Sequence, residues 1–269
     1  MRYSFAVACT LFGAIPAAAT EVADCGRYIG TTVEARDIDD VFQPFVAIGS
    51  KDEFETTAEY EARKSQALES LTAPLIIRKR PEDLKYIAYD ADAQRLNIVT
   101  YAFQNKGLNS DALFGYGAPY EGVVRKGITN FEVVIEEDEE ITDTYRASNA
   151  YGAETEVSKV FRRTRGIYEG PARANVVGLF PNADSRPYIA GSISMDAPTA
   201  RDAKGEIQLA FVVEPRAPYF LSAIYDYPIN PTISNPREVK NEVSVLIGDI
   251  RCGLVLMSDG EVLGAFETR

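Results

Sequence analysis

Carboxylates are the most abundant groups in this sequence that can do acid–base chemistry. The chain of 269 residues contains 40 aspartates and glutamates but no histidine. Without an imidazole it cannot assemble a Ser-His-Asp or Cys-His catalytic group, and it lacks the usual ligand of zinc sites. Two carboxylates can still cleave a glycosidic bond when one of them acts as the acid. A carboxylate-dependent glycan-acting hydrolase is therefore an alternative hypothesis, to which the sequence assigns no catalytic residue.

Other catalytic and cofactor-binding motifs are missing from the sequence. It has no G-x-S-x-G elbow, no Ser-x-x-Lys pair, no C-x-x-C redox pair and no G-x-x-x-x-G-K-[ST] phosphate loop. We therefore expect no cofactor and no metal site. The sequence favours a binding or scaffolding module over an enzyme.

Arg162, Arg163 and Arg165 form the main basic cluster and are candidate binding residues. They could hold an anionic glycan or a peptide carboxylate, because guanidinium groups bind carboxylates through paired hydrogen bonds. The acidic composition favours the alternative, in which they pair with the protein's own carboxylates. The densest acidic run, Glu136 to Glu140, could bind a cation or a basic partner, but it is more typical of a solvated turn between strands.

Tyr225 and Tyr227 are two further candidate binding residues, in a Tyr-Asp-Tyr-Pro segment. Exposed tyrosines suit binding surfaces, whereas loop tyrosines more often pack on the core of their own domain. Five prolines between Pro215 and Pro236 predict that this whole region is rich in loops.

The N-terminus has the order of a secretory signal peptide. Arg2 supplies a positive charge, Phe5 to Ile15 is an uncharged and mostly apolar run, and Ala17-Ala18-Ala19 provides the small residues before a cleavage site. The apolar run is too short for the roughly 20 residues of a membrane-spanning helix. We expect residues 1–19 to be removed and residues 20–269 to be exported to the periplasm or the extracellular space.

The net charge of −12 limits the partners that we expect. An acidic chain repels phosphate backbones and anionic membrane surfaces, which disfavours nucleic acid and lipid. No segment after the signal peptide is apolar for long enough to span a membrane. The expected partner is an envelope protein or a glycan of unknown identity.

Two cysteines, Cys25 and Cys252, remain after signal cleavage. An oxidising compartment favours a disulfide between them. This bridge would close almost the whole chain into one loop and would stabilise the fold by about 5 kcal/mol in the chain-entropy model. Ile250, Cys252, Leu254 and Leu256 alternate on one predicted strand face, which predicts a buried bridge.

Two helices are predicted from apolar spacing and capping residues. The first spans 56–72, where Thr56 and Glu59 have the spacing of a capping box and Pro74 ends the helix. The second, near 236–247, begins with Asn235-Pro236 and has apolar residues at helical spacing, although its β-branched residues disfavour it.

Short apolar runs predict that strands dominate the rest of the chain, and residues 20–50 are expected to be irregular or extended. The predicted strands are 75–78, 84–89, 96–103, 131–135, 157–161, 188–195 and 207–213, followed by a C-terminal hairpin of 250–256 and 262–266 around a Ser258-Asp259-Gly260 turn. The fold class is therefore α+β with a mostly antiparallel sheet. We expect a single exported domain, with a candidate subdivision near 136–155.

One segment resembles known proteins. Residues 53–63, with the sequence EFETTAEYEAR, are similar to a segment of exported bacterial proteins that have no assigned function. The resemblance implies a bacterial envelope setting and transfers no active site.

Overall fold

The computed structural model describes residues 25–49, 51–69, 71, 74–79, 87–99, 119–120, 123–124, 130–171, 189–226 and 230–267. The helices in these ranges are a 3-10 turn (Cys25–Tyr28), α1 (Ile38–Ile48), α2 (Thr57–Glu69) and α3 (Ala197–Lys204). The strands are β1 (Leu75–Lys79), β2 (Ile87–Asp90), β3 (Arg95–Val99), β4 (Pro119–Tyr120), β5 (Val123–Val124), β6 (Asn130–Ser148), β7 (Glu154–Pro171), β8 (Ile189–Ser194), β9 (Gln208–Asp226), β10 (Arg237–Leu256) and β11 (Val262–Glu267).

Strand β10 is the centre of a six-stranded sheet in the order β1-β9-β10-β7-β6, to which β11 adds along the second half of β10. On one side β10 pairs antiparallel with β9. On the other side it pairs parallel with β7 over Arg237 to Ile247, and then antiparallel with β11 over Cys252 to Leu256. The α+β class is confirmed, but the sheet is mixed, so a mostly antiparallel sheet is only partly correct.

The helix predicted near 236–247 is wrong, because these residues form the first half of β10. Val243 and Val245 pack in a cluster on one face of the sheet, whereas Leu246 joins the main core on the other. Valine side chains favour extended backbone. Partners on both sides, β7 and β9, also satisfy the backbone groups that an isolated helix would have paired within itself.

The helix predicted at 56–72 is confirmed as α2, and its capping box is formed. The backbone amide of Glu59 donates to Oγ1 of Thr56 at 3.2 Å, and the amide of Thr56 donates to Oε2 of Glu59 at 2.8 Å. None of the side chains of α2 is buried. The helix is therefore held by its capping box and by a partly buried face on which Leu68 packs against the main core.

Helix α1 lies in a region that we expected to be irregular. Its residues Ile38, Val41 and Phe42 share one face at helical spacing and are buried. Phe42 and Phe45 pack on Phe220 of β9, with ring centroids 4.9 and 5.4 Å apart. These contacts fix α1 across one face of the sheet.

The main core lies between the large sheet, α1 and a smaller antiparallel sheet in the order β2-β3-β8. The strands predicted at 75–78, 87–89 and 96–99 are confirmed within it. The remaining parts of those predicted strands, residues 84–86 and 100–103, lie outside the described residues.

The predicted loop-rich region is wrong for residues 215–226, since β9 continues to Asp226, whereas residues 230–236 form a loop before β10. The β9–β10 pairing shifts between Phe220 opposite Leu246 and Pro215 opposite Gly248. Prolines cannot donate to a strand ladder and are tolerated at such irregularities. The ladder is interrupted where the prolines lie and resumes beyond them.

The acidic run Glu136 to Glu140 is not a turn, because β6 extends through it to Ser148. Beyond the run, the β6–β7 hairpin continues past the start of β10, which pairs with β7 only from Ser158 onwards. We call residues 145–157 the hairpin arm. Its tip carries Tyr151, which is 96% exposed.

The sulfur atoms of Cys25 and Cys252 lie at bonding distance, with Cα atoms 6.1 Å apart and a sequence separation of 227. Both cysteines are buried, as predicted, in a cluster with Leu254 and Leu256. Ile250 does not share that face, because a shift in the ladder after it turns its side chain into the main core.

The C-terminal hairpin is confirmed and carries the N-terminal segment along its outer edge. The amide of Val262 donates to the Thr31 carbonyl at 2.9 Å, and the amide of Gly30 donates to the Val262 carbonyl at 2.9 Å. Gly260 has φ of +91°, and a Cβ there would lie 2.4 Å from the Val33 carbonyl oxygen. Within the described residues, none of the helices is both long and apolar enough to cross a membrane.

Candidate functional site

A groove of about 300 Å³ runs between α1 and the middle of the large sheet. We call it the α1 groove. Helix α1 and strands β7, β9 and β10 all contribute to its lining. The lining residues are Asp39, Phe42, Gln43, Val46, Arg163, Thr164, Arg165, Phe220, Ser222, Glu242 and Ser244.

The sheet side of the α1 groove follows from strand alternation. In the ladder, Arg163 lies opposite Glu242 and Arg165 lies opposite Ser244. Ser244 in turn lies opposite Ser222 of β9, and their hydroxyl oxygens are 2.9 Å apart. Because side chains two residues apart share a face, all five project toward α1.

The floor of the α1 groove is apolar. Phe42 is buried against Phe220, and these rings separate the groove from the main core. Val46, on the last turn of α1, is 64% exposed at the rim. The helix therefore covers the apolar half of the sheet face and leaves the polar half open beside it.

Arg165 is held by three carboxylates from two different elements. Its guanidinium lies 2.6 Å from Asp39 of α1, 2.6 Å from Asp138 of β6 and 3.9 Å from Glu136. Burial opposes the charged form, but the hydrogen bond that Arg165 donates to Asp138 and the attraction of the nearby carboxylates raise the pKa of Arg165 above its ordinary value. Arg165 therefore stays charged and fastens α1 to the sheet.

Arg163 is held in a similar way. Its guanidinium lies 3.3 Å from Asp138, 3.4 Å from Glu140 and 3.9 Å from Glu242. It also lies over the ring of Phe161, 4.8 Å from the centroid. Arg163 donates its hydrogen bonds to Asp138 and Glu140 of β6 rather than into the groove.

Arg162 points to the opposite face of the sheet and does not belong to the α1 groove. It bonds to Glu139, which also accepts a hydrogen bond from Arg237. Burial of Glu139 acts to raise the pKa of its carboxyl, but the hydrogen bonds from Arg237 and Arg162 hold it below its ordinary value. The basic cluster of the sequence is thus divided between two faces.

Tyr225 lies in β9 rather than in a loop, and it also faces away from the groove. It packs beside the cluster that contains Val243 and Val245. In the ladder it lies opposite Asn241, which lies opposite Arg162, so these three residues form one row across the sheet. Tyr227 lies outside the described residues.

Sequence reasoning missed six polar residues of the α1 groove: Asp39, Gln43, Thr164, Ser222, Glu242 and Ser244. Two of them lie in the half of β10 that was assigned to a helix, where strand alternation was not considered. Asp39 lies in a region read as irregular, although its acidic position beside Ile38 and Val41 is typical of the first turn of a helix. Ser222 carried no signal of its own.

Among the described residues, no group of three or more cysteines, aspartates or glutamates is placed to hold a metal ion. The carboxylates around the α1 groove are separated from one another by the guanidinium groups of Arg163 and Arg165. They act as partners of those two side chains.

The chain matches no protein-family model, and neither a curated protein nor a solved structure is significantly similar to it.

Proposed function

We propose that this protein is an exported binding module and that the α1 groove is its ligand site. The observation that carries the proposal is the combination, in one open cavity, of an apolar floor and polar side chains supplied by a fixed framework of strands. Ligand sites in proteins combine apolar surface with placed polar groups, and the α1 groove has three apolar lining residues beside eight polar or charged ones. The ion pairs of Arg165 hold both walls in place before any ligand arrives.

Binding is favoured over catalysis by the state of the charged groups. A glycan-cleaving acid needs a carboxyl with a raised pKa. Five described carboxyl groups have displaced pKa values, and in all five the displacement is downward; these are Glu55, Glu59, Glu139, Asp143 and Asp196. No observation in the described residues favours the glycan-acting hydrolase, so it remains an untested alternative.

The envelope setting belongs to the same proposal. It is supported by the signal-like residues 1–19, by the resemblance of residues 53–63 to exported bacterial proteins, and by a cysteine pair that can form a bridge in an oxidising compartment. The acidic surface suits a protein or glycan partner better than nucleic acid.

A groove-filling substitution tests the site. Ser222→Tyr places a ring in the α1 groove, whereas Ser148→Tyr makes the same change at an exposed position at the end of β6. The Tm of the wild type and of both variants is measured without ligand and in the presence of each compound from a panel of peptides and oligosaccharides. A ligand present at 100 times its Kd stabilises the folded state by about 3 kcal/mol.

We expect at least one compound to raise the Tm of the wild type and of Ser148→Tyr but not of Ser222→Tyr. If every stabilising compound acts equally on all three proteins, or if none stabilises the wild type, the α1 groove is not the ligand site of a binding module.

A further inference from the structure

The charges that surround the α1 groove restrict the ligand it can accept. We propose that its ligand is an extended peptide segment of a partner protein that places a lysine side chain in the groove. This inference rests on the binding function proposed above and adds the chemical class of the ligand. It differs from the anionic ligand that a cluster of arginines would suggest.

Negative charge exceeds positive charge around the groove. Arg163 and Arg165 supply its two guanidinium groups. The carboxylates within ion-pair distance of them are Asp39, Glu136, Asp138, Glu140 and Glu242. Five carboxylates facing two guanidinium groups leave an excess of negative charge, which attracts a cation and repels an anion.

The arginines are unsuited to an incoming anion for a second reason. Asp138 lies 2.6 Å from Arg165 and 3.3 Å from Arg163, so it already occupies the side of both guanidinium groups that an anionic ligand would need. A carboxylate ligand would have to displace Asp138 and would leave it without its two partners. Such displacement loses charge-assisted hydrogen bonds without a net gain.

Glu242 is the carboxylate of the groove that is best placed to receive a ligand. Its one ion-pair partner among the described residues is Arg163, at 3.9 Å, which is too long for a hydrogen bond. Its side chain is 32% exposed to solvent. Glu242 is therefore partly removed from water, and its oxygens still have acceptor capacity.

The hydroxyl groups beside Glu242 complete an acceptor set for an ammonium ion. Ser244 lies two residues from Glu242 on the same strand face, and Ser222 lies opposite Ser244. A lysine ammonium carries three donors and no acceptor. A carboxylate with adjacent hydroxyl oxygens matches that pattern, and it does not offer the flat, two-pronged surface that favours arginine.

Exposed aliphatic side chains border the charged part of the groove. Val46 lies on its helix side, and Ile224, which is 59% exposed, lies opposite Glu242 in the ladder. The methylene groups of a lysine and a neighbouring aliphatic residue could cover these side chains. A volume of about 300 Å³ is at the small end of the range for small-molecule pockets, which suits one inserted side chain of a peptide.

Three synthetic peptides test the inference on the full mature protein. The lysine peptide is acetyl-Ala-Val-Lys-Val-Ala-amide, and the two controls replace lysine with norleucine or glutamate. Affinities are measured by calorimetry at low and high salt. Glu242→Gln and Asp39→Asn remove one charge each from the groove, and Glu154→Gln removes one from the exposed hairpin arm.

We expect the lysine peptide to bind more tightly than the norleucine peptide, and the glutamate peptide not to bind. Glu242→Gln should weaken the lysine peptide by about tenfold, which corresponds to about 1.4 kcal/mol. Asp39→Asn should weaken it less, because Asp39 remains engaged with Arg165, and Glu154→Gln should leave it unchanged. Added salt should weaken binding by screening the charges.

The outcomes separate the two proposals. If the norleucine or glutamate peptide binds as well as the lysine peptide, and Ser222→Tyr abolishes that binding, the groove is a ligand site but lysine recognition is wrong. If the lysine peptide binds equally to the wild type, Glu242→Gln and Ser222→Tyr, both proposals are wrong. If the wild type binds none of the peptides, lysine recognition is wrong, and the panel experiment decides the binding function.

Discussion

At the scale of single residues, the charged side chains of this protein act mainly on one another. Each of the three arginines that the sequence offers as candidate binding residues is held by carboxylates of β6. The acidic run and the basic cluster were both visible in the sequence, as was the alternative that they pair. Their register was not visible, because it depends on where β6 and β7 turn, and that turn lies at residues 149–153 rather than in the acidic run.

Glu139 supplies a prediction about acid stability. Because hydrogen bonds from Arg237 and Arg162 lower the pKa of its carboxyl in the folded state, folding favours the ionised form. This contribution is fully present above the unfolded-state pKa of about 4.3 and is lost as the pH falls through the lower pKa of the folded state. Glu139→Gln should reduce the free energy of unfolding near neutral pH by at most about 1 kcal/mol, since the pair is partly exposed.

The measurement is urea unfolding at a series of pH values between about pH 6 and pH 2, the range in which carboxylates titrate. The loss of stability on acidification should be smaller for Glu139→Gln than for the wild type. Glu154→Gln, on the hairpin arm, is the control. An acid profile of Glu139→Gln that runs parallel to that of the wild type would show that Glu139 contributes nothing to it.

At the scale of elements, the sequence predicts the helix start and the turn whose conformations are set by residues close to one another in the chain. The capping box of α2 and the turn of the C-terminal hairpin are of this kind, and both were predicted. Residues 237–247 were misassigned because Val239, Val243, Leu246 and Ile247 fit a helical face as well as an apolar strand. Their strand state is decided by β7 and β9, which are distant in sequence.

The site was predictable only in part for the same reason. Arg163 and Arg165 were selected because they are adjacent in a basic cluster. Glu242 and Ser244 come from β10 and Ser222 from β9, and these residues meet Arg163 and Arg165 only through the ladder. A site that is assembled from one face of three strands and a helix cannot be predicted from a local sequence motif.

Helix α2 gives a prediction at the element scale. Since its side chains are at most partly buried, with Leu68 packed against the main core, its stability also depends on the capping box and on bonds to its neighbours, such as the one that Arg63 donates to the Ile48 carbonyl. Thr56→Ala removes the side chain that accepts from the Glu59 amide and should destabilise α2 by about 1 kcal/mol.

Hydrogen exchange measures this effect directly. Amides of α2 should exchange about fivefold faster in Thr56→Ala, whereas amides of β10 should keep their wild-type rates. Ser65→Ala, an exposed change in the middle of the helix, should not accelerate exchange. Equal acceleration in α2 and β10 would mean that the helix opens only with the whole molecule.

At the scale of the whole molecule, the bridge between Cys25 and Cys252 joins two segments that border the sheet far from the α1 groove. It holds the N-terminal segment against the C-terminal hairpin, where backbone hydrogen bonds continue the contact. The bridge and the proposed ligand site thus lie in different parts of the fold. The export hypothesis connects them, because only an oxidising compartment would maintain the bridge.

An intact mass tests export and the bridge together. The full chain, expressed with its N-terminus in a bacterium that exports proteins, should be recovered from the envelope fraction with Thr20 as its first residue. Under non-reducing conditions its mass should be lower by two hydrogens than after reduction. Recovery from the cytoplasm with residues 1–19 attached would contradict export, and an unchanged mass on reduction would contradict the bridge.

The central claim is that the α1 groove is the ligand site of a binding protein. Hydrogen–deuterium exchange of the mature protein with and without the lysine peptide locates binding directly on the chain. We expect slower exchange in residues 39–46, 220–224 and 242–244, and unchanged exchange in the hairpin arm, residues 145–157. Slower exchange confined to the hairpin arm, or no change anywhere at saturating peptide, would contradict the claim.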